Sequence, residues 1–218
     1  MINGVQTTVR DYWINHENSC LRKDTLVYVN TVKCASTFYH ALLINNGWKS
    51  DNFTNIDWNN DHVFGFIMEP WKRRAKGIAE DLLTFYSVEQ YLLNNLGKNF
   101  WQDHLTFGSH SVPISMIWSG YTDKIDWIPL DVPVNSKTLL NKLLEKYHIV
   151  LDYSLAIEQH RTEKYKQEIY EKISNFVGDG TGNLQLMMAT DVDLYQSVTQ
   201  RINTDGQCWD EISWLRNN

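Results

Sequence analysis

The segment Thr25-Leu-Val-Tyr-Val29, followed by a short turn and then by Ser36–Asn46, constrains the fold more than any other part of this 218-residue chain. The first run is compact and rich in β-branched and aromatic residues, with no charge in it, as buried strands are. The second sets Phe38, Ala41 and Leu42 on one helical face, and Gly47 is a natural helix stop. A strand that turns directly into a helix predicts an α/β unit.

The rest of the chain repeats the theme. Val63-Phe-Gly-Phe-Ile-Met68 reads as a second buried strand. Pro70 then opens a helical region that runs to about Leu96, with Ile78, Leu82, Phe85 and Tyr86 at helical spacing. Residues 97–124 are irregular and aromatic, with a short apolar stretch at Ile114–Trp118. Ile125–Ile128 is a third strand, closed by Pro129. Ser136 is placed to cap a helix whose stripe is Leu139, Leu140, Leu143, Leu144 and Tyr147. Arg161–Val177 predicts another amphipathic helix, Gly178, Gly180 and Gly182 a loop, and Asp191–Ile202 a last helix. Strands alternating with helices predict a parallel sheet with helices on its faces. One domain is expected over 1–218, with an N-terminal arm at 1–24 and a C-terminal tail at 203–218.

Composition narrows the function classes. With 43% hydrophobic and 21% charged residues, the chain can bury a core and is not a disordered one. A net charge of -6 argues against broad nucleic-acid binding, which needs an extended positive surface. Cys20, Cys34 and Cys208 form no CxxC pair, so a reducing, cytoplasmic setting is expected. Met1–Arg10 is polar and no run of about 18 apolar residues exists, so neither a signal peptide nor a membrane span is expected. No metal-ligand spacing stands out; His104 and His110, six apart, are weak evidence for zinc. No metal is expected.

The chemistry concentrates between the first strand and the first helix. The first N–H groups of a helix have no internal partner, and the helix dipole adds partial positive charge there. Lys33 contributes a full charge, Ser36 and Thr37 contribute hydroxyls, and Ala35 is small enough for close backbone approach. Together they make an anion site. A second cationic cluster, Lys72, Arg73, Arg74 and Lys76, crowds the start of the second helix, where cations oppose the dipole unless an anion is present.

The Walker A pattern is absent, since no glycine lies between Leu21 and Ala41. Instead, Val32-Lys-Cys-Ala-Ser-Thr-Phe38 resembles the 5′-phosphosulfate loop of the sulfotransferases, and most of all that of the carbohydrate sulfotransferases. The stretch Met68-Glu-Pro-Trp-Lys-Arg-Arg-Ala-Lys76 resembles that family's 3′-phosphate segment, with Pro70 and Arg73 matching, while Met68 and Lys76 stand where the family has Arg and Ser. Weaker echoes lie in Asp126-Trp-Ile-Pro-Leu130 and in Asp191-Val-Asp-Leu-Tyr195.

The resemblance implies a three-layer α/β sandwich around a central parallel sheet, the P-loop nucleotide-hydrolase-like sulfotransferase fold. It implies a donor, 3′-phosphoadenosine 5′-phosphosulfate (PAPS), with 3′,5′-adenosine bisphosphate (PAP) as product. Lys33, Cys34, Ala35, Ser36, Thr37 and Phe38 would hold the 5′ side, and Arg73, Arg74 and Lys76 the 3′-phosphate. The acceptor would be a hydroxyl of a sugar or other small molecule, with Trp101, Trp118 and Trp127 as rings for a sugar face, although Trp127 reads as core. Lys33 would stabilise the leaving phosphate. The general base would come from His62, then His110, then Asp57 or Asp61. Two other readings stay open: a kinase-like nucleotide-dependent transferase, and a non-catalytic binding protein that keeps the fold.

Overall fold

The computed structural model describes residues 19–85, 110, 112–156 and 183–204. The expected continuation of the second helix through Tyr86 to Leu96, the helix at Arg161–Val177, the glycine loop at 178–182, and Trp101, His104 and Cys208 lie outside the described residues.

Five strands form one sheet: β1 (Cys20–Lys23), β2 (Leu26–Val29), β3 (Lys49–Asp51), β4 (His62–Ile67) and β5 (Asp126–Pro129), in the order β3-β1-β2-β4-β5. The expected parallel sheet is a mixed one. β2, β4 and β5 run parallel, whereas β1 pairs antiparallel with both β2 and β3. The cause is local. Asp24 takes a left-handed conformation (φ 55°), so the chain turns back at once and makes a hairpin, which a parallel pair cannot do without a crossover. Part of the expected N-terminal arm is therefore strand β1.

The helices are α1 (Ser36–Asn45), α2 (Pro70–Phe85), the single turn α3 (Ile114–Ile117), α4 (Ser136–Glu145) and α5 (Asn183–Thr204). The ends of α1 and α2 follow from their sequences. Gly47 (φ 84°) terminates α1, with Trp48 N–H donating to the Leu43 carbonyl and Gly47 N–H to that of Ile44. Pro70 occupies the first position of α2, where no N–H is needed. Asn135, not Ser136, caps α4 by accepting from Lys137 N–H at 2.8 Å, which leaves the Ser136 hydroxyl to pair with Tyr39 at 2.8 Å.

β2 is buried along its whole length, and only His62 in β4 is less than fully so. Uninterrupted apolar runs are what a sheet covered on both faces requires. On one face Tyr39 of α1 stacks on Phe66 at 3.7 Å, beside Tyr28, Phe64 and Trp48. On the other, Trp127 lies against Gly65. Much of the aromatic content is thus structural. Trp118 and Trp127 are 1% and 2% exposed, so neither presents a ring to a sugar. Trp118 packs on Phe53, whose neighbours Trp58 and Tyr121 stack at 4.3 Å.

Candidate functional site

The loop between β2 and α1 lies at the carboxyl end of the parallel strands, the edge where open α/β sheets place ligands. Two of its non-glycine residues are left-handed: Lys33 (φ 63°) and Ala35 (φ 52°, ψ 28°). Such conformations cost on the order of 1–3 kcal/mol each and collect at functional loops. The alternation sends successive side chains in different directions. Cys34 is fully buried, and burial pushes its thiol up to about 12, so it stays protonated. Its N–H closes the turn onto the Thr31 carbonyl at 3.2 Å. Cys34 therefore builds the loop from behind and offers an anion neither thiolate nor N–H.

Ala35 and Thr37 are exposed and Ser36 is partly so. Ala35 is the N-cap of α1 and supplies no side-chain cap. The first intrahelical bond runs from Tyr39 N–H to the Ala35 carbonyl at 3.0 Å. The N–H groups of Ser36, Thr37 and Phe38 precede it, and these are the groups a helix start presents to an anion. Lys33 Nζ sits 3.2 Å from Glu80 Oε2 on α2, with both side chains partly exposed. Phe38 is packed edge-on against Tyr39 and carries the Lys137 ammonium over its ring at 5.5 Å.

The cationic cluster on α2 divides. Arg73 is sealed from solvent: it donates to the carbonyls of Val32 and Val112 and faces Asp191 at 3.9 Å. It supports the loop from beneath rather than lining its open side. Arg74 is 2% exposed; burial pushes its guanidinium down to about 10, with Arg73 adding to the effect. Lys72 lies 3.8 Å from Asp131, and Lys76 is exposed on the helix surface. Desolvation lowers the Lys76 ammonium from its usual range, and Lys72 and Lys33 lower it further.

The anion that the crowded helix start calls for is internal. The Glu69 carboxylate accepts from Trp71 N–H at 3.2 Å and Lys72 N–H at 2.6 Å, and so caps α2 itself. Asp131, two residues beyond β5, accepts from the Glu69 N–H at 3.1 Å and the Tyr195 hydroxyl at 2.9 Å. Glu69 was legible as a capping residue from its place before Pro70. Glu80, Asp131 and Asp191 carry no local signal, because their partners are far away in sequence.

The base candidates also divide. His62 begins β4 and pairs in register with Leu26, so it stands at the amino edge of the sheet. About four residues of strand, roughly 13 Å at 3.3 Å each, separate that edge from the loop. His62 is therefore not within reach of a group held by Lys33. Asp57 and Asp61 belong to the same edge: Asp57 N–H donates to Asp61, and Asp61 is held by two Arg22 donors at 2.8 and 2.9 Å. His110 lies two residues before Val112, whose carbonyl shares Arg73 with Val32. That places the His110 segment on the Lys33 side.

Among the described residues no His, Cys, Asp and Glu side chains are grouped to hold a metal, and no helix is long and apolar enough to cross a membrane. Comparison with protein families, with curated proteins and with solved structures returns no match for this chain.

Proposed function

We propose that the protein is a PAPS-dependent sulfotransferase whose donor site is the Lys33–Thr37 loop, on the sulfotransferase form of the α/β fold. One observation carries this reading: a helix start without a side-chain cap, reached through two left-handed residues and flanked by Lys33, Ser36 and Thr37. The 5′ side of the donor fits these groups. The Ser36, Thr37 and Phe38 N–H groups would bind phosphate oxygens, and Lys33 would neutralise the charge that builds on the leaving phosphate. PAPS supplies the sulfuryl group. His110 is the base candidate on the correct edge, taking a proton from the acceptor hydroxyl. The 3′ side fits less well, since Arg73 is committed to Val32, Val112 and Asp191. Of the three cations the resemblance assigns to that role, Arg74 is buried like Arg73, and Lys76 is the one exposed on the helix surface.

The loss of Arg73 from the ligand side also favours a second reading, a binding protein that keeps the fold without catalysis. Thermal melting with PAP, and with ATP and magnesium, separates the cases. PAP at about 100 times its Kd stabilises the protein by about 2.7 kcal/mol, and Lys33→Ala abolishes the effect. Absence of any response to millimolar PAP rejects the donor site. A PAP response without sulfuryl transfer to any hydroxyl acceptor selects the binding protein, and a response to ATP and magnesium alone selects a kinase-like transferase.

A further inference from the structure

The start of α2 borders the Lys33 loop. β4, which leads into α2, pairs in parallel with β2, which leads into the loop, and Lys33 reaches Glu80 on α2 at 3.2 Å. Burial lowers the Lys76 ammonium most, and Lys72, Asp131 and Lys33 also act on it, which puts these groups in one neighbourhood. In the sulfotransferases that this segment resembles, the 3′-phosphate of the donor lies here.

The groups that would receive such a phosphate are turned away or taken. Met68, in the place of the family's Arg, is apolar and 8% exposed. Arg73 is sealed from solvent, where it donates to the Val32 and Val112 carbonyls and faces Asp191. Arg74 is buried beside it. A helix start offers its first N–H groups to an anion, but those of Trp71 and Lys72 already donate to the Glu69 carboxylate, at 3.2 and 2.6 Å. Two ammonium groups reach the surface of this helix start: Lys72, which lies 3.8 Å from Asp131, and Lys76.

In place of a phosphate, the helix start carries its own anion. Glu69 is partly exposed, and each of its oxygens accepts one N–H. A carboxylate has about four lone-pair positions, so Glu69 keeps capacity for a hydroxyl donor while its charge opposes a phosphate dianion. The same exchange separates two classes of dinucleotide site: an acidic residue receives a ribose hydroxyl, and an arginine receives a phosphate carried on that hydroxyl.

We propose that the donor site takes a nucleoside 5′-phosphosulfate with a free 3′-hydroxyl, held on its 5′ side by the Lys33 loop and at the 3′-hydroxyl by Glu69. This rests on the donor-site reading of that loop and widens the donor from PAPS to adenosine 5′-phosphosulfate. With that donor, the bond from sulfur to the bridging oxygen of the 5′-phosphate breaks, and its electron pair leaves on adenosine 5′-monophosphate (AMP). A bond from sulfur to the acceptor oxygen forms, and the acceptor's proton passes to the base.

The test is calorimetry of the full chain with AMP, PAP and adenosine. AMP binds as tightly as PAP or within about fivefold of it, fivefold being what one exposed cation such as Lys76 contributes. Adenosine, which lacks the 5′-phosphate, binds at least about tenfold more weakly than AMP, in keeping with a charged hydrogen-bonded contact at the loop. Glu69→Gln keeps oxygen and shape but removes the charge, and it moves the preference toward PAP by up to about fivefold. PAP binding more than about fivefold tighter than AMP in the unaltered protein overturns the inference and leaves the donor site standing. A Glu69→Gln protein with an unaltered preference also overturns it. Absence of binding by both nucleotides at millimolar concentration rejects the donor site itself, and the inference with it. The comparison of AMP with PAP needs no variant, so it decides the matter even where Glu69→Gln fails to fold.

Discussion

The guanidinium of Arg73 lies 3.9 Å from the carboxylate of Asp191, with both side chains sealed from solvent. Arg73 also holds the Val32 and Val112 carbonyls, while Asp191 accepts from the N–H groups of Ile114 and Ser115 at 2.7 and 2.8 Å. One buried pair thus joins the loop after β2, the start of α3 and the middle of α5. Removing one partner strands the other charge. Asp191→Ala is expected to lower stability by about 3–5 kcal/mol in urea denaturation, and an apolar replacement of both residues by Arg73→Met with Asp191→Leu to recover part of that loss. A double variant less stable than Asp191→Ala would contradict this account.

Lys33 and Glu80 form a partly exposed pair. Such pairs contribute about 0–1 kcal/mol, so Glu80→Gln leaves the melting temperature nearly unchanged. It frees the ammonium for an anion and should tighten PAP binding by a factor of about five or less in calorimetry. Weaker binding would mean that Glu80 positions Lys33 rather than competing for it.

Ala35 is exposed and left-handed, so a glycine there relieves strain without removing packing. Ala35→Gly is expected to stabilise the fold by up to about 1 kcal/mol, because the roughly 1–2 kcal/mol that a Cβ costs in left-handed backbone exceeds the roughly 0.4–1 kcal/mol that glycine gives back through a freer unfolded chain. The readout is the denaturation midpoint, and a destabilised variant would show that the methyl group does work in the loop.

Gly65 allows β4 to pass beneath Trp127. A Cβ there would meet Val29 Cγ2 at 2.9 Å, Trp127 Cζ3 at 3.0 Å and the Val29 carbonyl oxygen at 3.3 Å. Gly65→Ala should therefore cost about 1–3 kcal/mol. Combining it with Val29→Ala, which removes the nearest atom, should recover part of the loss.

Arg22 bridges Asp51 and Asp61 at the β1–β3 edge. Burial works to raise the Asp51 carboxyl, but the Arg22 bond and those from Asn55 and Asn52 outweigh it and hold it below its usual range. A depressed folded value means that the unfolded chain binds the proton more readily. The stability from this group is present above about pH 3.9, the unfolded value, and is lost as the pH falls through the lower folded value. Asp51→Asn should flatten the acid limb of the stability curve below about pH 4; an unchanged limb would remove Asp51 from the account.

Local chemistry carried much of this to the surface of the sequence. β2 and β4 were legible because a strand covered on both faces is apolar over nearly all its length, β5 because Trp127 and Ile128 run into Pro129, and α1 and α2 because Gly47 and Pro70 mark their limits. β1 and β3 were not. β1 has only Cys20 and Leu21 as apolar residues, and β3 is Lys49-Ser-Asp51, a polar edge whose pairing depends on its neighbour. Ser136 had the chemistry of a cap, yet Asn135 took the position, because the Ser136 hydroxyl met Tyr39.

For the site, the residues of the loop and its anion-binding chemistry are written in one contiguous stretch, Lys33 to Thr37, because a helix start is a local object. Which side of that loop each residue faces was decided by tertiary structure. Cys34 was turned into the core, Arg73 was drawn beneath the loop by Val32, Val112 and Asp191, and His62 was set at the far edge of the sheet. Strand direction and the long-range partners of buried charges made those choices. Neither is encoded within a few residues of the side chain concerned, since both arise only when β2, β4 and β5 have paired and α5 has closed over them.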